Sequence, residues 1–252
     1  MYKKITIWLT FLLSIKALAI IDGTHIEKLN GPVVALQMKY KKDGKTIYRK
    51  GTAFAVTPRK LLTAGHNAFY IKNPNDIEVI LSTSPCWGIN SCNEKRITVL
   101  KKIVHPNFEN NYPAPPVFDL AILELEENLP KSIDLIPLHL SDNKLKNFSV
   151  LGFGMSKASS RDLSDFKLRI YRYLESSLNF VSQQKTSLPQ DKGGFCGGDS
   201  GAPLLGFDKK GVQKALGIAI HNTKDSAGKF HCLTSGVFTY LPFFKLWLNQ
   251  NL

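Results

Sequence analysis

Apolar residues recur along the chain in short runs, many of them alternating with polar positions, at 33–38, 53–56, 77–82, 97–104, 120–125, 148–152, 215–220 and 236–240. Clusters of Gly, Asn, Asp and Pro separate them. Runs of this length, rich in Val, Ile, Leu and Phe and bounded by turn formers, predict strands. Only 242–249, which carries Phe243, Phe244, Leu246, Trp247 and Leu248, has the spacing of a helix. Many short strands and one terminal helix predict an all-β chain of antiparallel barrels rather than alternating βαβ units. A polar crossing formed by Glu124, Glu126, Glu127, Pro130 and Lys131 divides the pattern into strand-rich halves, 20–130 and 131–252. Internal repeats and low-complexity segments are absent from the sequence.

The start of the chain follows a different pattern. Lys3 and Lys4 precede a mostly apolar run over 5–15, and Ala17-Leu18-Ala19 puts small residues where a signal peptidase reads. Residues 1–19 are therefore expected to be a secretory signal, and the mature chain to start near Ile20. A membrane anchor needs about 20 apolar residues. This run is shorter and meets Lys16 at once, so no membrane span is expected.

The apolar share of 43% and charged share of 21% are ordinary for a globular protein. Four cysteines in an exported chain predict two disulfides, with three pairings open. Their spacing lacks the paired Cys-x-x-Cys of zinc knuckles, so no metal is expected. The formal charge is +13, and removing residues 1–19 leaves 30 basic against 20 acidic residues. The cations are spread through polar connections, such as 39–50 and Lys209, Lys210 and Lys214, which predicts a solvated basic face and no nucleic-acid site.

One segment carries chemistry most sharply: Gly198-Asp199-Ser200-Gly201-Ala202-Pro203. Serine is a poor nucleophile unless a base removes its proton and donors hold the oxyanion that forms. Small neighbours permit both, with the N–H groups of Gly198 and Ser200 turned toward one point beside the hydroxyl. The same residues also suit a plain turn. A base is offered by His66 in Leu62-Thr63-Ala64-Gly65-His66-Asn67, since an imidazole titrates near neutrality. An orienting carboxylate is offered by Asp119, which opens an apolar strand that has little other use for a charge. Asp76, Asp134 and Asp142 stand in polar surroundings and read as solvated.

With these motifs in the order His, Asp, Ser, the chain resembles the chymotrypsin-like (trypsin-like) serine peptidases; α/β-hydrolases and subtilisins run in other orders. The resemblance extends to Ile20-Ile21-Asp22-Gly23, Val104-His105-Pro106-Asn107-Phe108, Leu151-Gly152-Phe153-Gly154 and Ser235-Gly236-Val237-Phe238-Thr239. It implies two antiparallel six-stranded β-barrels with a C-terminal helix and no cofactor. It further implies an exported endopeptidase with His66, Asp119 and Ser200 as catalytic triad and an oxyanion hole at Gly198 and Ser200. A new α-amino group on Ile20 would pair with Asp199. Cys196 would bridge Cys232 beside the specificity pocket, leaving Cys86 with Cys92.

That pocket would be lined by Gly194, Phe195, Ile220, His221, Asn222 and Gly236. Gly194 stands where trypsin-like members hold Asp, so a preference for Lys or Arg is not implied, and small or apolar side chains are expected instead. Ile220-His221-Asn222 replaces the usual Ser-Trp-Gly wall. Asn67 follows the His where the family has a half-cystine, and Ala202 replaces a usual Gly. The implied partner is a protein or peptide substrate; a protein inhibitor fits the class, and a monomer is expected. The alternative reading is a catalytically silent protein of the peptidase fold that uses its basic surface to bind a partner.

Overall fold

The structure, a computed structural model, describes residues 20–88, 92–111, 114–141, 144–156, 165–174, 178–223 and 232–252. The expected signal at 1–19 and Asp142 lie outside the described residues.

Six strands close into an antiparallel barrel: β2 (Val33–Lys42), β3 (Lys45–Ala55), β4 (Lys60–Thr63), β5 (Ile77–Ile80), β6 (Arg96–Val104) and β7 (Ala121–Leu125), in the order β2-β3-β4-β7-β6-β5. A second antiparallel sheet holds β1 (Thr24–His25), β8 (Lys146–Gly152), β9 (Arg169–Arg172), β10 (Asn179–Ser182), β11 (Lys185–Pro189), β12 (Pro203–Phe207), β13 (Gln213–Asn222) and β14 (Ser235–Tyr240). Its order is β1-β9-β8-β12-β13-β14-β11-β10. Where a second six-stranded barrel is expected, the second half holds an eight-stranded sheet. The sheet reaches eight because β1, from the N-terminal segment, pairs with β9, and the exposed β10 folds back on β11. A 3-10 turn at Leu241–Phe244 leads into the terminal helix α2 (Lys245–Asn251).

Segment 39–50, expected as a polar connection, is instead paired strand. Asp43 and Gly44 both adopt left-handed backbone, with φ of 51° and 73°, and join Lys42 to Lys45 in a two-residue hairpin turn. The buried half of β2 ends at Met38, and most side chains of the arm beyond it are exposed, so its backbone pairs with little apolar burial. The apolar signal that marks a strand is missing there because there is no core to face.

The two halves share one core. Val33, Phe54, Leu62 and Ile122 from the barrel pack with Leu151, Phe153, Leu205 and Ile218 from the second sheet, and with Leu241, Phe244 and Leu248 from the C-terminal segment. Each such side chain contributes about 1.5–3 kcal/mol when fully buried. The chain ends fasten the halves crosswise. Ile21 exchanges backbone hydrogen bonds with Gly194 at 3.0 and 3.1 Å, tying the N-terminal segment to the second half. Lys60 donates to the carbonyls of Asn251 and Leu252 at 2.8 and 3.0 Å, so a cation from the barrel satisfies the open C-terminal end of α2.

Candidate active site

The seam between the halves collects the chemistry-bearing residues. His66 lies on the short helix α1 (Gly65–Phe69), directly after β4. Asp119 precedes β7, the partner of β4, so barrel pairing alone brings the two together. Both carboxylate oxygens are engaged: Oδ1 accepts from the His66 backbone N–H at 2.8 Å, and Oδ2 lies 2.7 Å from ring Nδ1. With that nitrogen donating, Nε2 is the basic nitrogen. Asp119 is 1% exposed. A β-carbon on Gly65 would stand 3.1 Å from Asp119 Oδ1 and from the Leu120 nitrogen, so only glycine allows this approach without a shift.

Phe118 reaches Asp119 through left-handed backbone, φ 50°, which is costly for a bulky residue. Its ring stacks on His105 at 4.9 Å and meets Phe244 edge-on at 6.0 Å, and this packing holds the turn. Thr239 Oγ1 donates to the Asp119 carbonyl at 2.9 Å. The buried Lys185 adds a favourable charge nearby while donating to the Pro115 carbonyl at 2.9 Å. Burial opposes charging of the His66 ring, but the charge and hydrogen bond of Asp119 together outweigh it. The imidazole therefore sits above its ordinary value, with Arg49 offsetting part of the rise.

Ser200 is pinned to this segment through its backbone. Its carbonyl accepts from the Thr52 N–H at 2.9 Å and from Asn67 Nδ2 at 2.7 Å. Asn67 Nδ2 also donates to Thr63 Oγ1 at 3.0 Å, and Thr63 Oγ1 donates to the Thr52 carbonyl at 2.8 Å. At the position where the resemblance implies a half-cystine, a side-chain amide thus joins the histidine segment to the serine loop. Gly201, φ 94°, completes the contact, since a β-carbon there would collide with the Thr52 carbonyl and Thr63 Oγ1. The Ser200 hydroxyl makes no hydrogen bond among the described residues, to His66 or to any other group.

Thr52 also shapes the loop beside the serine. Its hydroxyl donates to the Gly198 carbonyl and accepts from the Phe153 N–H, both at 3.2 Å. Gly198 has φ 98°. Among the described residues neither its N–H nor that of Ser200 has an acceptor, so two donors remain open beside the hydroxyl.

Asp199 points the other way, into the second half. It is fully buried, with Oδ1 accepting from the Gly154 N–H at 2.7 Å and Oδ2 from the Cys196 N–H at 2.9 Å. A β-carbon at Gly152 or Gly154 would collide with this carboxyl group. Burial pushes its pKa up to about 7, against the pull of the two N–H groups and of Arg169. Ile20 is fully buried beside Phe195, Ala202 and Leu204, with its nitrogen still in the peptide bond to Ala19.

The residues expected to line a specificity pocket gather on one side of the serine loop, but a residue that sequence reasoning missed fills their midst. Gln190, fully buried, donates from Nε2 to the carbonyls of Phe195 at 2.9 Å and Cys232 at 2.7 Å. Its Oε1 accepts from the Phe195 N–H and the Tyr173 hydroxyl, both at 3.0 Å. Asn222 Nδ2 donates to the Phe195 carbonyl at 3.1 Å, His221 pairs with Val237 on β14, and Ile220 turns into the core. Disulfides link Cys196 to Cys232 and Cys86 to Cys92. Among the described residues no cluster of His, Cys, Asp and Glu is suited to a metal ion, and no helix is long and apolar enough to cross a membrane.

The family described as Trypsin matches residues 20–248, most of the chain. The chain belongs to the trypsin family. Among curated relatives, the complement C1r subcomponent-like protein of Mus musculus is 24% identical over 222 residues, 79% of this chain and 45% of that protein. The complement C1r-B subcomponent of Mus musculus is 27% identical over 167 residues, 61% of this chain and 23% of the relative. The chain therefore spans less than half the length of these relatives. The match makes it a trypsin-family serine protease domain.

Proposed function

We propose that this protein is an exported serine endopeptidase in which Ser200 attacks the peptide carbonyl, His66 carries the proton, and Asp119 holds the imidazole. The observation that carries the reading is the two-point grip of Asp119 on His66, set against a serine whose backbone is bonded to the residue after that histidine. Proton flow follows from this arrangement. His66 Nε2 takes the Ser200 proton as the Oγ–carbon bond forms, and the oxyanion settles against the open N–H groups of Gly198 and Ser200. The imidazolium, stabilised by Asp119, returns the proton to the leaving amine. Water then enters by the same path to release the acyl group. Hydrogen bonds of this kind are commonly loose without substrate, and the unbonded Ser200 hydroxyl is consistent with that.

Cleavage after Ala19 would free the Ile20 amine within a segment already buried against 194–199. An ammonium there would neutralise Asp199 and so hold the oxyanion loop in shape. Removal of the signal is thus the activating step, and export and activation are one event.

The same unbonded hydroxyl also favours a second reading, a silent binding protein of this fold whose basic hairpin arm holds a partner. A peptide-library cleavage profile of the protein starting at Ile20, beside Ser200→Ala, separates the two. The endopeptidase reading expects sequence-selective cleavage that falls at least about 10⁴-fold in the variant. Equal background rates in both proteins would leave only the binding reading.

A further inference from the structure

By the family resemblance, a substrate carbonyl seated against the N–H groups of Gly198 and Ser200 would send the preceding side chain between segment 194–198 and the end of β13, toward Gly236. That space is already occupied. β-Carbons placed on Gly194 and on Gly236 would both overlap the Gln190 side chain, and one on Gly236 would also overlap the Phe195 ring. The Gln190 side chain thus stands against the bare faces of both Gly194 and Gly236. Its polar atoms are all in use, on Phe195, Cys232 and Tyr173. Across the entrance, Asn222 Nδ2 reaches the Phe195 carbonyl directly, so the two walls that a large side chain must part are bonded to each other. Phe195 is itself 2% exposed and packs edge-on against Phe238 at 5.0 Å, which leaves the floor no room to drop.

We infer that Gln190 is a specificity-determining plug which fills the primary side-chain pocket and restricts cleavage to bonds that follow glycine, alanine or serine. The inference rests on the endopeptidase reading and refines it. Gln190 reaches no reacting atom; it acts by occupying volume, and a substrate presenting leucine or phenylalanine must break its buried hydrogen bonds to enter.

The test measures kcat/KM for peptides that differ only in the residue before the scissile bond, on the wild-type protein and on Gln190→Ala. Wild type should favour alanine over phenylalanine at least about 100-fold, and the variant should shift the phenylalanine-to-alanine ratio upward at least about 10-fold. A structural role alone would lower both rates and leave the ratio in place. Wild-type cleavage after phenylalanine at the alanine rate, or a folded variant with an unchanged ratio, overturns the plug. If Gln190→Ala does not fold, peptide boronates ending in alanine or phenylalanine probe the same pocket in the wild-type protein. Preference for the alanine compound supports the plug, and equal inhibition overturns it. Diisopropyl fluorophosphate, which needs no side-chain pocket, separates failure of the plug from failure of the chemistry. Label at Ser200 with size-indifferent cleavage sinks only the plug, and no label at Ser200 sinks the endopeptidase reading and the plug with it.

Discussion

The two sides of the cleft are prepared to different degrees. On the barrel side, His66 and Asp119 are locked by strand pairing, and every oxygen of the carboxylate is bonded to its neighbour. On the sheet side, the Ser200 hydroxyl is unbonded, the Asp199 carboxyl is buried on backbone donors, and the Gln190 amide is buried between Phe195 and Cys232. On the proposed reading the base is complete once the barrel folds, while the nucleophile and its oxyanion donors wait on release of the Ile20 amine.

The strongest way to break the comparison is to disable the finished side. Asp119→Asn should leave the fold in place and lower kcat about 10⁴-fold, since the amide favours the wrong imidazole tautomer. A loss below about tenfold, with the circular dichroism spectrum unchanged, would show that the barrel side is not the working base.

A smaller effect sharpens the contrast on the conditional side. Asp199 is held near pH 7 when folded, against an ordinary value of 3.8. Between those values the folded chain binds a proton that the unfolded chain releases, so the stability of an uncut chain falls as pH rises from about 4 to 7. The loss is of the order of 4 kcal/mol. Protein that starts at Ile20 should lack most of this decline, because its amine favours the charged carboxylate. Urea midpoints at pH 4.5 and 7.5, for chains with and without a short polar extension before Ile20, measure the difference. Parallel curves would separate Asp199 from the new terminus.

How much of this is readable in the chain follows the same divide. His66, Asp119 and Ser200 stand out because each places a reactive group where its neighbours are small or apolar, and such contrasts survive in one dimension. Most barrel strands with a core to face are legible for the same reason; the short β4, only four residues long, is not. The arm around Asp43-Gly44 is not, since strands with both sides in water carry no alternation. β10 and β11 escape the pattern too: every residue of β10 is exposed, and β11 buries Lys, Thr and Ser beside a single large apolar residue, Leu188. Gln190 reads as a turn residue beside Pro189, and nothing in its type announces full burial. Its role appears only when Gly194 and Gly236, far apart in sequence, are seen to face it. Asn67 reads as a missing cysteine, but its bond to the Ser200 carbonyl is a property of the folded seam.

The central claim is that His66 makes Ser200 a nucleophile. Its most direct test is peptide mapping by mass spectrometry after brief exposure of the Ile20-terminated protein to a fluorophosphonate, in wild type and His66→Ala. The account predicts a stoichiometric adduct on Ser200 in wild type and almost none in the variant over the same interval. An unlabelled Ser200 in folded wild-type protein, or equal labelling in both, would contradict it.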